Sequence, residues 1–391
     1  MIDALKPAAL VLLSLCLTSP LRAQKLEIDT PITSLEETAH RDSNDAAAHY
    51  NLALGYWSKK KWDQADSALQ HAVAIDPRFA SAYLALAFLP QASGVYWTEH
   101  VIMLGGGWRL VYYEAPDSVV DEFNRLYRRA LMIEPLVDIR IQVATEHRGG
   151  HVDAFDKALY AYNDGKWDEA YQRFGELVAD SADYRGEKGR LYEQILWYHG
   201  LAAARQQKFS EAIEDLRRLV VRSEKRETSD TLYRWPLRTN EYRYTLAYLT
   251  QRNGDPNGAV RLYQEALTQD LGLYMAHVRV GDIYEAAGMF DQAITARRNA
   301  VNANPDDPSL LLDLGKTLAN AARWKEAEQP LMESAAANPR DPRVPFYLGL
   351  VFENLGRKED ARSAFTKFIA IAPSRYERQI AVARQHIESL R

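Results

Sequence analysis

The densest run of groups that could hold a metal or move a proton is Glu146-His147, followed by His151 and Asp153. Two imidazoles and a carboxylate would have to converge on one point to bind zinc. Arg148-Gly149-Gly150 breaks any helix that could align them, so loop polarity is the competing reading. Ser58-Lys59-Lys60-Lys61 matches Ser-x-x-Lys in letters only; it falls at an expected helix end beside Trp62. The sequence contains no His-Glu-x-x-His, no Gly-x-Ser-x-Gly elbow and no phosphate-cradling glycine loop. Cys-x-x-Cys-His is absent too, and Cys16 is the single cysteine, so haem attachment and an internal disulfide are excluded. The residues therefore point to a non-enzymatic protein without cofactor or metal. An enzyme with a site at the insertion described below and the His147–His151 region is the least favoured alternative.

The elements that carry these groups follow a strict beat. Ala259, Ala293, Ala327 and Ala361 stand 34 residues apart, and Gly281, Gly315 and Gly349 keep the same step. So do Pro305, Pro339 and Pro373, and Leu314 and Leu348. A period of this length marks stacked supersecondary units. Each unit reads as two amphipathic helices. Glycine inside the first helix costs about 1 kcal/mol relative to alanine, so its recurrence needs a close helix contact. Gly254, Gly288 and Gly356 fall at the turn, where a left-handed backbone suits glycine. The prolines stop the second helix.

The unit His277, Val280, Gly281, Tyr284, Ala293, Ala300, Pro305 resembles the tetratricopeptide repeat, a helix–turn–helix module of 34 residues. The resemblance implies an all-α solenoid, a right-handed superhelix of paired helices, here with one β-hairpin-like insertion. Units 1 and 2 span 45–135 with the insertion at 90–116, and units 3 and 4 span 136–226 with irregular connections. A linker covers 227–239, four contiguous units fill 240–375, and a capping helix occupies 376–391.

In that family the first helices line a concave groove that takes a protein or peptide segment. Carried onto this chain, the groove comprises Tyr50, Leu54, Trp57, Phe88, Phe155, Tyr162, Trp197, Tyr244 and Tyr248, then Arg279, Lys316 and Phe346. Its first half is aromatic and its second half charged, with Asp282, Glu285, Asp313 and Glu353 alongside. Core filling is the competing reading for each aromatic. The paired lysine-and-asparagine clamp for chaperone tails is absent. The insertion places Trp97 and Trp108 around Gly105-Gly106-Gly107, with Tyr112 beyond; it is either a decoration or a lid or contact surface.

Lys6, the apolar run Ala8–Leu17 and the small residue Ala23 read as a signal peptide over 1–23, followed by a linker over 24–44. Lipid attachment at Cys16 and a buried N-terminal helix are the alternatives. No Asn-x-Ser/Thr acceptor occurs, which favours a bacterial envelope and a periplasmic or extracellular address. A net charge of −5 argues against a nucleic-acid partner, and the runs Lys59–Lys61 and Arg217-Arg218 read as solvated helix surface. No integral membrane span is expected. The functional expectation is an exported scaffold or adaptor in envelope assembly or secretion. Head-to-tail self-assembly into a filament or homo-oligomer is the alternative.

Overall fold

The computed structural model describes residues 30–94, 98–103, 109–114, 116–137, 154–180, 187–227 and 239–390. Residues 1–23 with Cys16, read from the sequence as a signal peptide, the insertion residues Trp97 and Trp108, and the Glu146–Asp153 cluster lie outside them. Only the backbone of Tyr112 is described.

The described residues are mainly helical, and one helix falls inside 24–44, the stretch read from the sequence as a linker. In chain order the elements begin with α1 Ile32–Arg41, α2 Ala46–Ser58, α3 Trp62–Ile75 and α4 Ala80–Ser93. Strands β1 Thr98–Met103 and β2 Arg109–Glu114 follow, antiparallel, with Thr98 opposite Glu114 and Met103 opposite Arg109. Then come α5 Asp117–Ile133, α6 Ala154–Asn163, α7 Trp167–Asp180, α8 Glu187–Arg205, α9 Phe209–Glu227, α10 Thr239–Arg252 and α11 Pro256–Gln269. The last set is α12 Tyr274–Ala286, α13 Phe290–Ala303, α14 Pro308–Asn320, α15 Trp324–Ala337, α16 Arg343–Asn354, α17 Lys358–Ile371 and α18 Glu377–Ser389.

Local chemistry explains the boundaries. Asp255-Pro256 and Asp307-Pro308 open α11 and α14: the aspartate side chain accepts from the backbone N–H of Gly258 or Ser309, and proline occupies the first helical position. The turn between paired helices uses one left-handed residue at a fixed repeat position. Gly165, Gly254, Gly288 and Gly356 fill it with φ of 73°, 86°, 72° and 74°, while Lys60, Gln207 and Ala322 adopt it with φ of 62° or less. Inside the first helices, glycine admits the partner helix: a methyl at Gly315 would lie 2.5 Å from Leu331 Cγ, and one at Gly349 2.7 Å from the Phe365 ring.

The chain divides into two compact units. One contains Ala80–Ala276, and its core is aromatic. Trp197 packs on Tyr242 at 5.5 Å, Phe174 stacks on Tyr198 at 5.7 Å, and Phe88 meets Phe123 edge-on at 5.3 Å. The other joins the residues through Phe79 to His277–Arg391. Its apolar core runs through Leu312, Leu331, Phe346, Phe365 and Phe368.

Candidate functional site

Arg297 sits on α13 at the repeat position occupied elsewhere by Leu69, Phe174, Leu216, Tyr263, Leu331 and Phe365. Those side chains are wholly buried, and Arg297 is only 2% exposed. Its guanidinium passes Gly281, where a methyl would lie 3.1 Å from Cζ. It thus threads between paired helices to reach polar groups on the first helices. Nη1 donates to the Val278 carbonyl at 2.9 Å, and Nη2 donates to Asp282 Oδ1 at 2.6 Å and Glu285 Oε2 at 3.2 Å. Nε donates to Thr317 Oγ1 at 3.2 Å. Glu285 also accepts from Thr317 Oγ1 at 2.8 Å and Asn320 Nδ2 at 2.6 Å, which ties α12 to α14. Asp282 remains 43% exposed at the side chain.

One turn along, Asp313 on α14 receives Arg78, which follows α3 in the first repeat. Arg78 Nε also lies 3.8 Å from Asp307 Oδ2, the buried cap of α14. Burial pushes the Asp313 carboxyl up, but Arg78, Arg297 and Lys316 outweigh it and hold it well below the usual carboxylate range. Other links between the first and last repeats are polar as well. Asp42 accepts from Ser374 N at 3.0 Å and Ser374 Oγ at 3.1 Å. Asn44 Nδ2 donates to the Ile371 carbonyl at 3.2 Å, and Asn338 Nδ2 to the Ile75 carbonyl at 3.1 Å. Arg375 Nη1 lies 2.6 Å from Asp45 Oδ1. The polar wall of the last repeats is therefore partly occupied by the chain's own first repeat.

The aromatic half of the expected groove takes a different place. Trp197, Tyr50, Tyr244, Phe346, Tyr248, Leu54 and Tyr162 are all buried. Tyr50 packs edge-on against Phe79 at 5.1 Å, and Phe346 against Phe368 at 5.1 Å. Tyr244 donates its hydroxyl to the Met132 carbonyl at 2.6 Å, and Tyr248 to Glu134 at 2.8 Å. These side chains fill cores because the partner helices close over them, so they do not line an open aromatic groove. Trp57, Phe88 and Phe155 are half-buried, each against another ring: Trp62, Phe123 and Phe174. Arg279 and Lys316 are half-buried on the polar wall.

His199 and Asp215 form another close ionisable pair, with Nδ1 2.6 Å from Oδ2. The imidazole stacks on Tyr171 at 4.5 Å, and Nε2 faces Gly175. Among the described residues no group of three or more histidines, cysteines or carboxylates could hold a metal ion.

Four family models, each described as a tetratricopeptide repeat, match residues 46–79, 155–227 with 244–308, 284–345 and 346–374. The chain carries tetratricopeptide repeats. Solved structures include the C-terminal part of a TPR repeat-containing protein from Cytophaga hutchinsonii, 14% identical, covering 60% of this chain and 95% of that one at a TM-score of 0.47. MamA from Desulfovibrio magneticus is 19% identical, covering 48% and 96%, with a TM-score of 0.39. Another MamA crystal structure is 18% identical, covering 46% and 96%, with a TM-score of 0.37. Comparison with curated proteins finds no match. Tetratricopeptide repeats are typical of non-enzymatic protein-interaction scaffolds. Among the described residues, no helix is long and apolar enough to cross a membrane.

Arg297 and Arg78, which organise the polar wall, are not among the residues the repeat pattern singles out. Arg297 was readable as a lone charge in an apolar repeat column. Arg78 carried no such signal, because its role depends on a contact 235 residues away.

Proposed function

We propose that the protein is an exported scaffold that holds a protein or peptide segment on the polar first-helix wall of its last repeats, in envelope assembly or secretion. The observation that carries the reading is Arg297. A stack selected only for cohesion would place an apolar residue there, as Leu331 and Phe365 do. Instead a buried guanidinium fixes Asp282 and Glu285, and the exposed carboxylate of Asp282 stands ready for a donor on a partner. Arg78 supports the same chemistry in cis, since Asp313 already accepts a guanidinium. The partner's groups accordingly include arginine or lysine. The N-terminal segment 1–23 supports export, and a reporter active only after export, fused behind it, checks that part.

The test is photocrosslinking in the native cell from positions Arg279 and Lys316, with Arg298 on the second helix of the same repeat as Arg279 as control. A partner recovered from the first two and lost with Asp282→Lys supports the wall. Equal recovery from Arg298 removes the wall from the reading. The polar links between the first and last repeats favour one second reading, self-assembly, because another copy's first repeat could supply the same groups. A mass that stays monomeric at rising concentration ends that alternative.

A further inference from the structure

Helices α8 and α9 each run 19 residues, whereas α6, α7, α10 and α11 have 10, 14, 14 and 14. Five extra residues lengthen a helix by about 7 Å, so this hairpin projects beyond the standard repeat length. A cleft of about 420 Å³ lies along the longer part, lined by Tyr192, Leu196, Glu214, Arg217, Arg218, Val221, Arg222 and Lys225. Four of its eight side chains are cationic and one is anionic.

The cleft is built, not merely charged. The Tyr192 ring carries Arg222 at 5.1 Å and Arg218 at 5.8 Å from its centroid, and Arg218 Nη2 donates to the Tyr192 hydroxyl. Arg222 is held further by Glu193, 2% exposed, at 3.8 Å, and Arg218 by Asp215 at 3.8 Å. Two guanidiniums are thus fixed in place before any ligand arrives, which lowers the ordering cost of binding. Arg217 is exposed and makes no ion pair among the described residues. Val221 sits between the cations on the same helix face and is 53% exposed, although α9 is otherwise regularly amphipathic. An apolar side chain exposed among four cations, two of them held in place, matches the anatomy of an interaction site, with an apolar centre and a charged rim.

We infer that this cleft docks an acidic segment of a partner protein, with carboxylates facing Arg217, Arg218, Arg222 and Lys225 and one apolar side chain seated on Val221. Charge and length select that occupant over a nucleic acid. From Arg217 to Lys225 the stripe is about 12 Å long, too short to track a phosphate backbone, and the exposed Glu211, Glu214 and Glu224 border it. A short segment with two or three carboxylates meets the four cations, and Glu214 is the one acid in the cleft's own lining. The surface lies in the unit formed by Ala80–Ala276 and the polar wall in the other, so the inference does not rest on the function proposed for that wall.

Fluorescence anisotropy tests this on the whole chain with a labelled peptide of about ten residues built from Glu-Glu-Leu repeats. Comparison probes are the Lys-Lys-Leu counterpart, a single-stranded DNA of equal charge, and vesicles of anionic phosphatidylglycerol. The acidic peptide should bind. Its affinity should fall about tenfold or more on raising salt from roughly 50 to 300 mM, and by a similar factor in Arg217→Glu/Lys225→Glu. Both of those side chains are exposed, so the variant should keep its helical circular dichroism. Val221→Ser should weaken binding about threefold or more. No binding of the acidic peptide, equal binding by the charge-reversed variant, or tighter binding of DNA or vesicles overturns the inference.

Discussion

Replacing Arg297 by leucine would restore the repeat's own preference, and the structure states that it will destabilise the protein. Leu331 and Phe365 fill the equivalent positions, so a redesign guided by the repeat would choose Leu. The guanidinium, however, donates four hydrogen bonds, two to carboxylates, one to a backbone carbonyl and one to a hydroxyl. Bonds to charged groups contribute about 1.5–3 kcal/mol each and neutral ones about 1 kcal/mol. Burying leucine returns roughly 2 kcal/mol. Asp282 is 43% exposed and rehydrates at little cost, and Glu285 keeps Thr317 and Asn320. The Val278 carbonyl loses its side-chain donor. The expected net loss is about 2–4 kcal/mol, in line with removing one partner from a buried ionic cluster. Urea denaturation measures the total, and amide exchange in α12, α13 and α14 localises it, since repeat arrays open locally. Adding Asp282→Asn and Glu285→Gln removes the two carboxylates that the guanidinium neutralised and should recover part of the loss. A leucine variant as stable as the parent, or a triple variant no better than the single, would refute this account of the network.

Arg78→Ala should loosen the first repeat by about 2–4 kcal/mol, read as faster amide exchange in α2 and α3 with α14 little changed; uniform exchange loss would contradict it. Gly349→Ala should cost about 1–3 kcal/mol despite the better helix propensity of alanine, because its methyl meets the Phe365 ring at 2.7 Å. Ala322→Gly should instead stabilise by about 0.5–1 kcal/mol, since Ala322 holds φ of 56° at the left-handed turn position; both are checked by thermal melting. Burial, joined by nearby His71, holds His49 below the ordinary histidine value of 6.5, despite the Ser43 carbonyl acting the other way. The unfolded chain therefore binds this proton first, so the stability His49 lends is complete above that value and declines as pH drops through it. His49→Gln should flatten the stability profile below about pH 6.5; an unchanged slope would assign the effect elsewhere.

The helical pairs were legible because their causes are local. A small residue where two helices touch, a left-handed turn residue and a closing proline each leave a mark at a fixed spacing, and Gly315, Gly288 and Pro305 are such marks. The groove lining was less legible. An aromatic on a first helix can face a ligand or a neighbouring helix, and the period is identical in both cases. Trp197 and Tyr244 went inward because other aromatic helices supplied their partners. The charged positions Asp282 and Lys316 stay partly exposed, since a charged side chain has no apolar core to join. Contacts such as Asn44 with the Ile371 carbonyl leave no periodic trace, because each involves a single pair of residues far apart in the chain.

That last contact also dictates an order of events. Asn44 and Ile371 are 327 residues apart, so the unit they join cannot close until synthesis has passed residue 371. Residues Ala80–Ala276 can collapse first, as a continuous stretch. The opening repeat must wait, half-finished, for its distant companions, and closing so long a loop is entropically slow. Removing the residues from Ile371 onward would leave Asp42 and Asn44 without their partners, and the damage would surface beside the first repeat.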